Sequence, residues 1–217
     1  MKLMQILNTF VDVLRNMVRS VMQRVATLLN KLTGGRLNPN AVTIFGFLMH
    51  LPIALLIARG YFIYAAVALA FFGLFDTLDG TLARLQNRST KLGMFLDSVT
   101  DKMKEAILYI GVGYFFVWSN HPGFAVWAIA ACGAGLIVSY ANAWGEVVTK
   151  DIKDDARQLN KAFRSGLMSF DVRMFVLIVG LAINQLGPAI IIIAVLSWLT
   201  AFGRFKRISQ YLSHVKS

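Results

Sequence analysis

Four aspartates within 26 residues carry the chemistry this chain could do. Asp76 and Asp79 stand three apart, and Asp97 and Asp101 stand four apart. Both spacings put the members of a pair on one face of a helix. A short loop separates the pairs, so their helices should be antiparallel neighbours, and all four carboxylates should converge at one depth. Carboxylates gathered in this way repel one another, and burying an unpaired charge is costly. Cations placed between them would relieve that cost. The donor set is all oxygen, without paired Cys or His, which suits Mg²⁺ or Mn²⁺ better than zinc. Two such ions can grip a diphosphate and stabilise charge on its bridging oxygens. Gly80 and Ala83 share a face with Asp76 and Asp79, and their small side chains let a nucleotide approach the backbone. Arg84 can pair with phosphate oxygens or with the carboxylates. The plainer alternative makes the aspartates ion-pair partners of Arg84, Lys102 and Lys104. It gives no reason for the glycine, alanine and arginine interleaved with them.

The elements that must hold these residues lie in a membrane. Of 217 residues, 57% are hydrophobic and only 15% charged, against about 25% charged in a soluble domain. A helix crossing the bilayer needs about 20 mostly apolar residues. Six segments qualify, near 41–59, 61–83, 93–118, 122–147, 171–186 and 188–205. Arg59-Gly60, Ser119 to Gly123 and Gly187-Pro188 read as tight external turns. Residues 2–33 repeat apolar side chains at helical spacing but are interrupted by arginines. This is the pattern of an amphipathic helix, lying in the interface or packed on the protein's own cytoplasmic side. The expected organisation is therefore all-α. An amphipathic juxtamembrane helix spans 1–36, a six-helix transmembrane domain 37–208 and a cytoplasmic tail 209–217.

Basic residues crowd the N-terminal segment, the loop near 84–92, the loop near 148–170 and the C-terminus, while the opposite side holds only Arg59. That asymmetry orients both termini, and the aspartates, toward the cytoplasm of a multi-pass cell-membrane protein. With this much apolar content, the net charge of +11 points to anionic headgroups or phosphorylated substrates, and not to nucleic acid. No secretory signal peptide is evident. Cys132, alone and in an apolar run, reads as a small packed hydrophobe.

The pattern Asp76-x-x-Asp79-Gly80-x-x-Ala83-Arg84, eight residues, then Gly93-x-x-x-Asp97-x-x-x-Asp101 resembles the signature of the CDP-alcohol phosphatidyltransferases at every position. The resemblance implies six transmembrane helices, often in a homodimer, with the site open to the cytoplasm. It implies that Asp76, Asp79 and Asp97 ligate two divalent cations. Asp101 would be the general base and also touch a metal. Gly80, Ala83, Arg84 and Gly93 would belong to the CDP-lipid site. The reaction would move a phosphatidyl-type group from CDP-diacylglycerol or CDP-archaeol to a small alcohol, with release of CMP.

Within the family, Asn38 to Thr43, Ser139-Tyr140 and Gly166 to Arg173 resemble the phosphatidylinositol-phosphate and archaetidylinositol-phosphate synthases. Two arginines usually follow that glycine closely; here Ser169-Phe170-Asp171 fills the interval and only Arg173 remains. Arg164 and Arg173 are the candidates for holding an acceptor's phosphate. Arg173 stands out because a charge at the start of a span is expensive. The neighbouring Lys150, Lys153, Arg157 and Lys161 also fit plain contact with lipid headgroups. Inositol phosphate is thus the first acceptor, with glycerol 3-phosphate and serine behind it.

His50, within the first span, reads as a packed or hydrogen-bonding residue, and Asn142 and Glu146 as polar neighbours of the site. Three rivals come from other classes. An intramembrane prenyltransferase would want two separated aspartate-rich motifs. A divalent-cation transporter would place its carboxylates near the bilayer midplane. A purely structural membrane protein would not need the Gly-x-x-Ala-Arg pattern.

Overall fold

The computed structural model describes residues 2–149 and 168–214. Among these, every regular element is a helix: α1 (Lys2–Leu32), α2 (Pro39–Ala58), α3 (Phe62–Phe72), α4 (Phe75–Leu85), α5 (Lys91–Trp118), α6 (Pro122–Val148), α7 (Phe170–Ala182) and α8 (Leu186–His214). The chain divides into two compact units, residues 1–55 with 67–108, and residues 56–66 with 109–217.

Four stretches are long and apolar enough to cross a membrane: Pro39–Ala58, Phe62–Leu85, Pro122–Val148 and Leu186–Ser213. The other two expected spans differ for physical reasons. α5 has 28 residues, but Asp97, Asp101, Lys102, Lys104 and Glu105 crowd its first half. α7 has only 13 residues. Its predicted extension to 186 fails because the chain turns at Ile183 to Gln185, where Asn184 takes a positive φ of 57°. Gly187 and Pro188, read above as that turn, instead sit in the first turn of α8, where proline is tolerated. The predicted second span is also broken. At Gly73 and Leu74 the bonding shifts, with Leu74 N–H reaching back three residues to Phe71 O, so α4 starts afresh just before Asp76. The turns at Gly60, with φ 79°, and at Asn120, with φ 63°, fall where expected.

In the first unit, α1 packs on α4. Met22 and Ala26 are buried with Val42, Leu78 and Leu82, while Val18, Val25 and Leu29 pack around them. A second apolar stripe of α1, comprising Met17, Val21, Leu28 and Leu32, stays exposed. Gln86, just past α4, ties the arrangement: its Nε2 donates to Asn30 Oδ1 and to Leu37 O, both at 3.0 Å. The apolar face read from periodicity therefore packs on the protein itself over half its width.

In the second unit, α6 and α8 pack along their length. Small buried residues, Ala128, Ala131, Ala134 and Gly135 on α6 with Ala194 and Ala201 on α8, suit close helix approach in lipid. Arg204 is buried and its Nη1 donates to Val138 O at 2.9 Å. α7 meets α8 closely: a Cβ built on Gly180 would stand 2.3 Å from Ala189 Cβ. Gly180→Ala should therefore overpack this contact and cost about 1–3 kcal/mol. Thermal unfolding in detergent should show a Tm lower by several degrees, and adding Ala189→Gly should restore most of it.

Candidate active site

The site is built in the first unit, from the start of α2 upward. Asn38 Oδ1 accepts the Asn40 N–H at 3.0 Å and Pro39 takes the first helical position, a favourable N-terminal cap. One turn on, Thr43 is buried. Gly46 lets α4 come close, since a Cβ there would lie 3.1 Å from Phe75 Cβ. The result is a hydrogen bond from Thr43 Oγ1 to Asp79 Oδ2 at 2.6 Å. The same hydroxyl lies 3.2 Å from Pro39 O, but its single proton serves one acceptor, and the shorter charge-assisted bond is the stronger. Asp79 Oδ1 accepts the Gly80 N–H, so the carboxylate is held at both oxygens.

α5 begins with its own cap: Thr90 Oγ1 accepts the Gly93 N–H at 3.0 Å. Any side chain at Gly93 would press on Asn40 Oδ1, 3.2 Å from the Cβ position, and on Thr90 Oγ1 at 3.3 Å. Gly93 thus lets the starts of α5 and α2 pass closely, which sets the height of Asp97 and Asp101. The four aspartates lie within electrostatic reach of one another, without three of them meeting at one place. Asp97 interacts electrostatically with Asp79 and Asp101, and Asp101 with Asp76. Lys104 reaches into the cluster, where its Nζ donates to Asp76 Oδ1 and, at 3.3 Å, to Asp101 Oδ1. Lys102 pairs with Glu105 at 3.3 Å, and Arg84 donates from Nη2 to Thr81 Oγ1 at 3.2 Å.

Arg84 is exposed, and a Cβ on Gly80 would make only ordinary contact with Arg84 Nη1, at 3.6 Å. Packing within the chain does not demand a glycine at position 80. Its bare backbone, beside a free-standing guanidinium face and the half-buried Ala83, is the open side of the cluster. As the side chains stand, no three His, Cys, Asp or Glu residues among those described gather tightly enough to hold one ion. The donor set nevertheless fits hard cations: four carboxylates face a single buried ammonium, an excess of negative charge with oxygen ligands only.

Other residues singled out by sequence fall elsewhere. Arg173 belongs to the second unit, buried at the start of α7, where its Nη1 donates to Met168 O at 2.7 Å. Asn142 Nδ2 donates to Glu146 Oε1 at 3.3 Å, one turn along α6. His50 is buried, with Nδ1 2.7 Å from Gly46 O; the ring must carry its proton on Nδ1 to make that bond. Arg164 lies outside the described residues, as do Lys150, Lys153, Arg157 and Lys161. Sequence reasoning missed Thr43 as a partner of Asp79, because the two are 36 positions apart. The plainer alternative named Lys104 as an ion-pair partner of the aspartates, and that pairing is present with Asp76 and Asp101.

A family model described as CDP-alcohol phosphatidyltransferase matches residues 36–204. A phosphatidylinositol phosphate synthase of Corynebacterium glutamicum is 31% identical over 204 residues, covering 91% of this chain and 85% of that protein. Two crystal structures of the Mycobacterium tuberculosis phosphatidylinositol phosphate synthase share the fold at 22% identity. One has CDP-DAG bound, with a TM-score of 0.74 and coverage of 87% of this chain and 94% of that one. The other is a complex with manganese and citrate, with a TM-score of 0.73 and coverage of 87% and 88%.

The Thr43–Asp79 bond yields a direct expectation. Thr43→Val keeps the shape but strips the donor from a buried carboxylate, a loss of about 1.5–3 kcal/mol. The Tm in detergent should fall by several degrees, and Thr43→Ser should stay near wild type.

Proposed function

The chain belongs to the CDP-alcohol phosphatidyltransferase family, and on that premise we propose that it makes a phosphatidylinositol-phosphate-type lipid at the aspartate cluster of the first unit. The donor is CDP-diacylglycerol or its ether-lipid counterpart, the acceptor is inositol phosphate, and CMP is the second product. The observation that supports this reading is that Asp76, Asp79, Asp97 and Asp101, from two neighbouring helices, lie within electrostatic reach of one another, with Gly80 and the exposed Arg84 beside them. The acceptor rests on the relatives, since the Corynebacterium glutamicum protein carries that activity in its name.

In this mechanism Asp76, Asp79, Asp97 and Asp101 hold two divalent cations, Mg²⁺ or Mn²⁺. When bound, these neutralise the diphosphate and the charge that develops on its leaving oxygen. Thr43 fixes the Asp79 carboxylate in advance, so no reorganisation is needed when substrate arrives. Arg84 pairs with phosphate oxygens of the CDP group, and Gly80, Ala83 and Gly93 keep the backbone open to it. Asp101 accepts the proton of the acceptor hydroxyl. The acceptor oxygen bonds to the lipid-side phosphorus, the bridging P–O bond breaks, and CMP departs with the bonding electrons. For the acceptor's own phosphate, Arg164 and Arg173 are carried only as candidates from the family resemblance.

The chain crosses the membrane six times in this reading. α3 with α4 makes one crossing, and the apolar second half of α5 another. α7 supplies about 20 Å of helix, so the fifth crossing draws on flanking residues. Both termini face the cytoplasm, as the distribution of Lys and Arg supports. The exposed stripe Met17, Val21, Leu28 and Leu32, bordered by Arg24 and Lys31, lies in the interface with its basic side chains at headgroup level.

The test is CMP release by the protein in detergent with CDP-diacylglycerol and Mg²⁺. Inositol 1-phosphate, glycerol 3-phosphate and serine are offered in parallel. Release should depend on inositol phosphate and on the divalent cation, and Asp101→Asn should lower it by at least about a hundredfold. Release with glycerol 3-phosphate alone would move the chain to a different branch of the family. No release with any acceptor would move the test to the ether-lipid donor, and failure with both donors while Mg²⁺ still binds would favour a cation transporter.

A further inference from the structure

Lys104 has no place in the mechanism above or in the signature that surrounds it, yet among the described residues of the first unit it is the most thoroughly enclosed charge. Its side chain is 0% exposed, while the Asp76 and Asp101 side chains it touches are 22% and 23% exposed. A buried ammonium without partners is expensive, and a lysine that could reach water along a four-carbon stem would ordinarily do so. Here the stem runs inward, and Nζ ends between a carboxylate of α4 and one of α5. It thereby bridges the two helices carrying the aspartates. His50 of α2 is close enough to feel its charge, but the imidazole is committed to Gly46 O and supplies no competing anion. Glu105, the next residue, pairs with Lys102. The partners of Lys104 are thus the site's own aspartates.

We propose that Lys104 is the resident counter-ion of the carboxylate cluster: it holds Asp76 and Asp101 in register before any divalent cation arrives, and so sets how tightly those cations bind. The inference rests on the reading of the aspartates as metal ligands. The physical argument has two parts. Before metal binds, the Lys104 ammonium is the buried positive charge between α4 and α5, and removing it leaves much of the carboxylates' repulsion uncompensated. Once metal is bound, the same ammonium repels it. Lys104 therefore stabilises the metal-free protein more than the metal-bound one, and by linkage it weakens metal binding. It is a positioning residue, acting through the carboxylates it aligns.

Lys104→Met keeps the length and volume of the stem and removes only the charge. The full-length protein in detergent is unfolded thermally in EDTA and in saturating Mn²⁺, and Mn²⁺ affinity is read by electron paramagnetic resonance. In EDTA, Lys104→Met should lose several degrees of Tm. Adding Asp76→Asn should recover most of that loss, because it removes one of the charges left unbalanced. Saturating Mn²⁺ should close the gap between Lys104→Met and wild type, and Mn²⁺ should bind the variant at least about tenfold more tightly. Lys104→Arg should behave as wild type in every arm.

The proposal is overturned by an unchanged Tm in EDTA, by no recovery on adding Asp76→Asn, or by Mn²⁺ affinity that is unchanged or weaker. If Lys104→Met fails to fold in EDTA, the double variant decides: folding supports the counter-ion, and continued failure overturns it. Mn²⁺ that does not bind wild type, or that binds Asp97→Asn equally well, would sink the metal reading itself. The comparison in EDTA would still judge Lys104.

Discussion

Like charges in a poorly solvated place must be held together by something, and the first unit is organised around that constraint. Asp76 and Asp79 come from α4, and Asp97 and Asp101 from α5. Left alone, the two helices would be driven apart at the end where their carboxylates meet. Three kinds of contact oppose this. The Lys104 ammonium bridges the pairs, the Thr43 hydroxyl binds Asp79, and α1 packs Met22 and Ala26 against Leu78 and Leu82 of α4. The first two act at the charges. The third is apolar and independent of charge, so it keeps α4 in place while the electrostatics of the site change through a reaction cycle.

The enzyme is a phosphotransferase of the CDP-alcohol class, and its chemistry asks little of the protein beyond position and charge. The fold answers with closeness at two glycines. Gly46 brings the backbone of α2 against the first residue of α4, and Gly93 brings the start of α5 past Asn40. Each is a point where a methyl group would push a carboxylate away from its neighbours. Gly80 is different: the chain leaves room at that position, so its bareness faces outward, toward whatever the cluster receives.

Much of this was legible in the sequence, for identifiable reasons. The aspartate cluster was, because helical spacing of three and four and a short connecting loop determine which faces meet. The turns at Gly60 and Asn120 were, because turn chemistry is local. The break at Gly73 was not. A glycine in an apolar run is compatible with a continuous helix, and only the bonding shift at Leu74 reveals the new start. The length of α7 was also misread, since Gly187-Pro188 carries the stronger turn signal, yet Asn184 adopts the left-handed conformation and proline is accepted in the first turn of α8. Thr43 escaped for a different reason. Its significance lies in a contact across helices, and a single sequence records which residues share a face but not which faces touch. Lys104 was named as an ion-pair partner of the aspartates, and the structure shows that pairing.

The packing of α1 on α4 has a mechanical meaning. Leu78 lies one position before Asp79, and Leu82 three positions after it, and both are gripped by the N-terminal helix. The clamp of Gln86 on Asn30 and Leu37 closes the other end of that contact. A pull or twist applied along α1 between Val18 and Leu29 is therefore passed directly to the helix that carries Asp76 and Asp79, whereas α8 ends in the other unit.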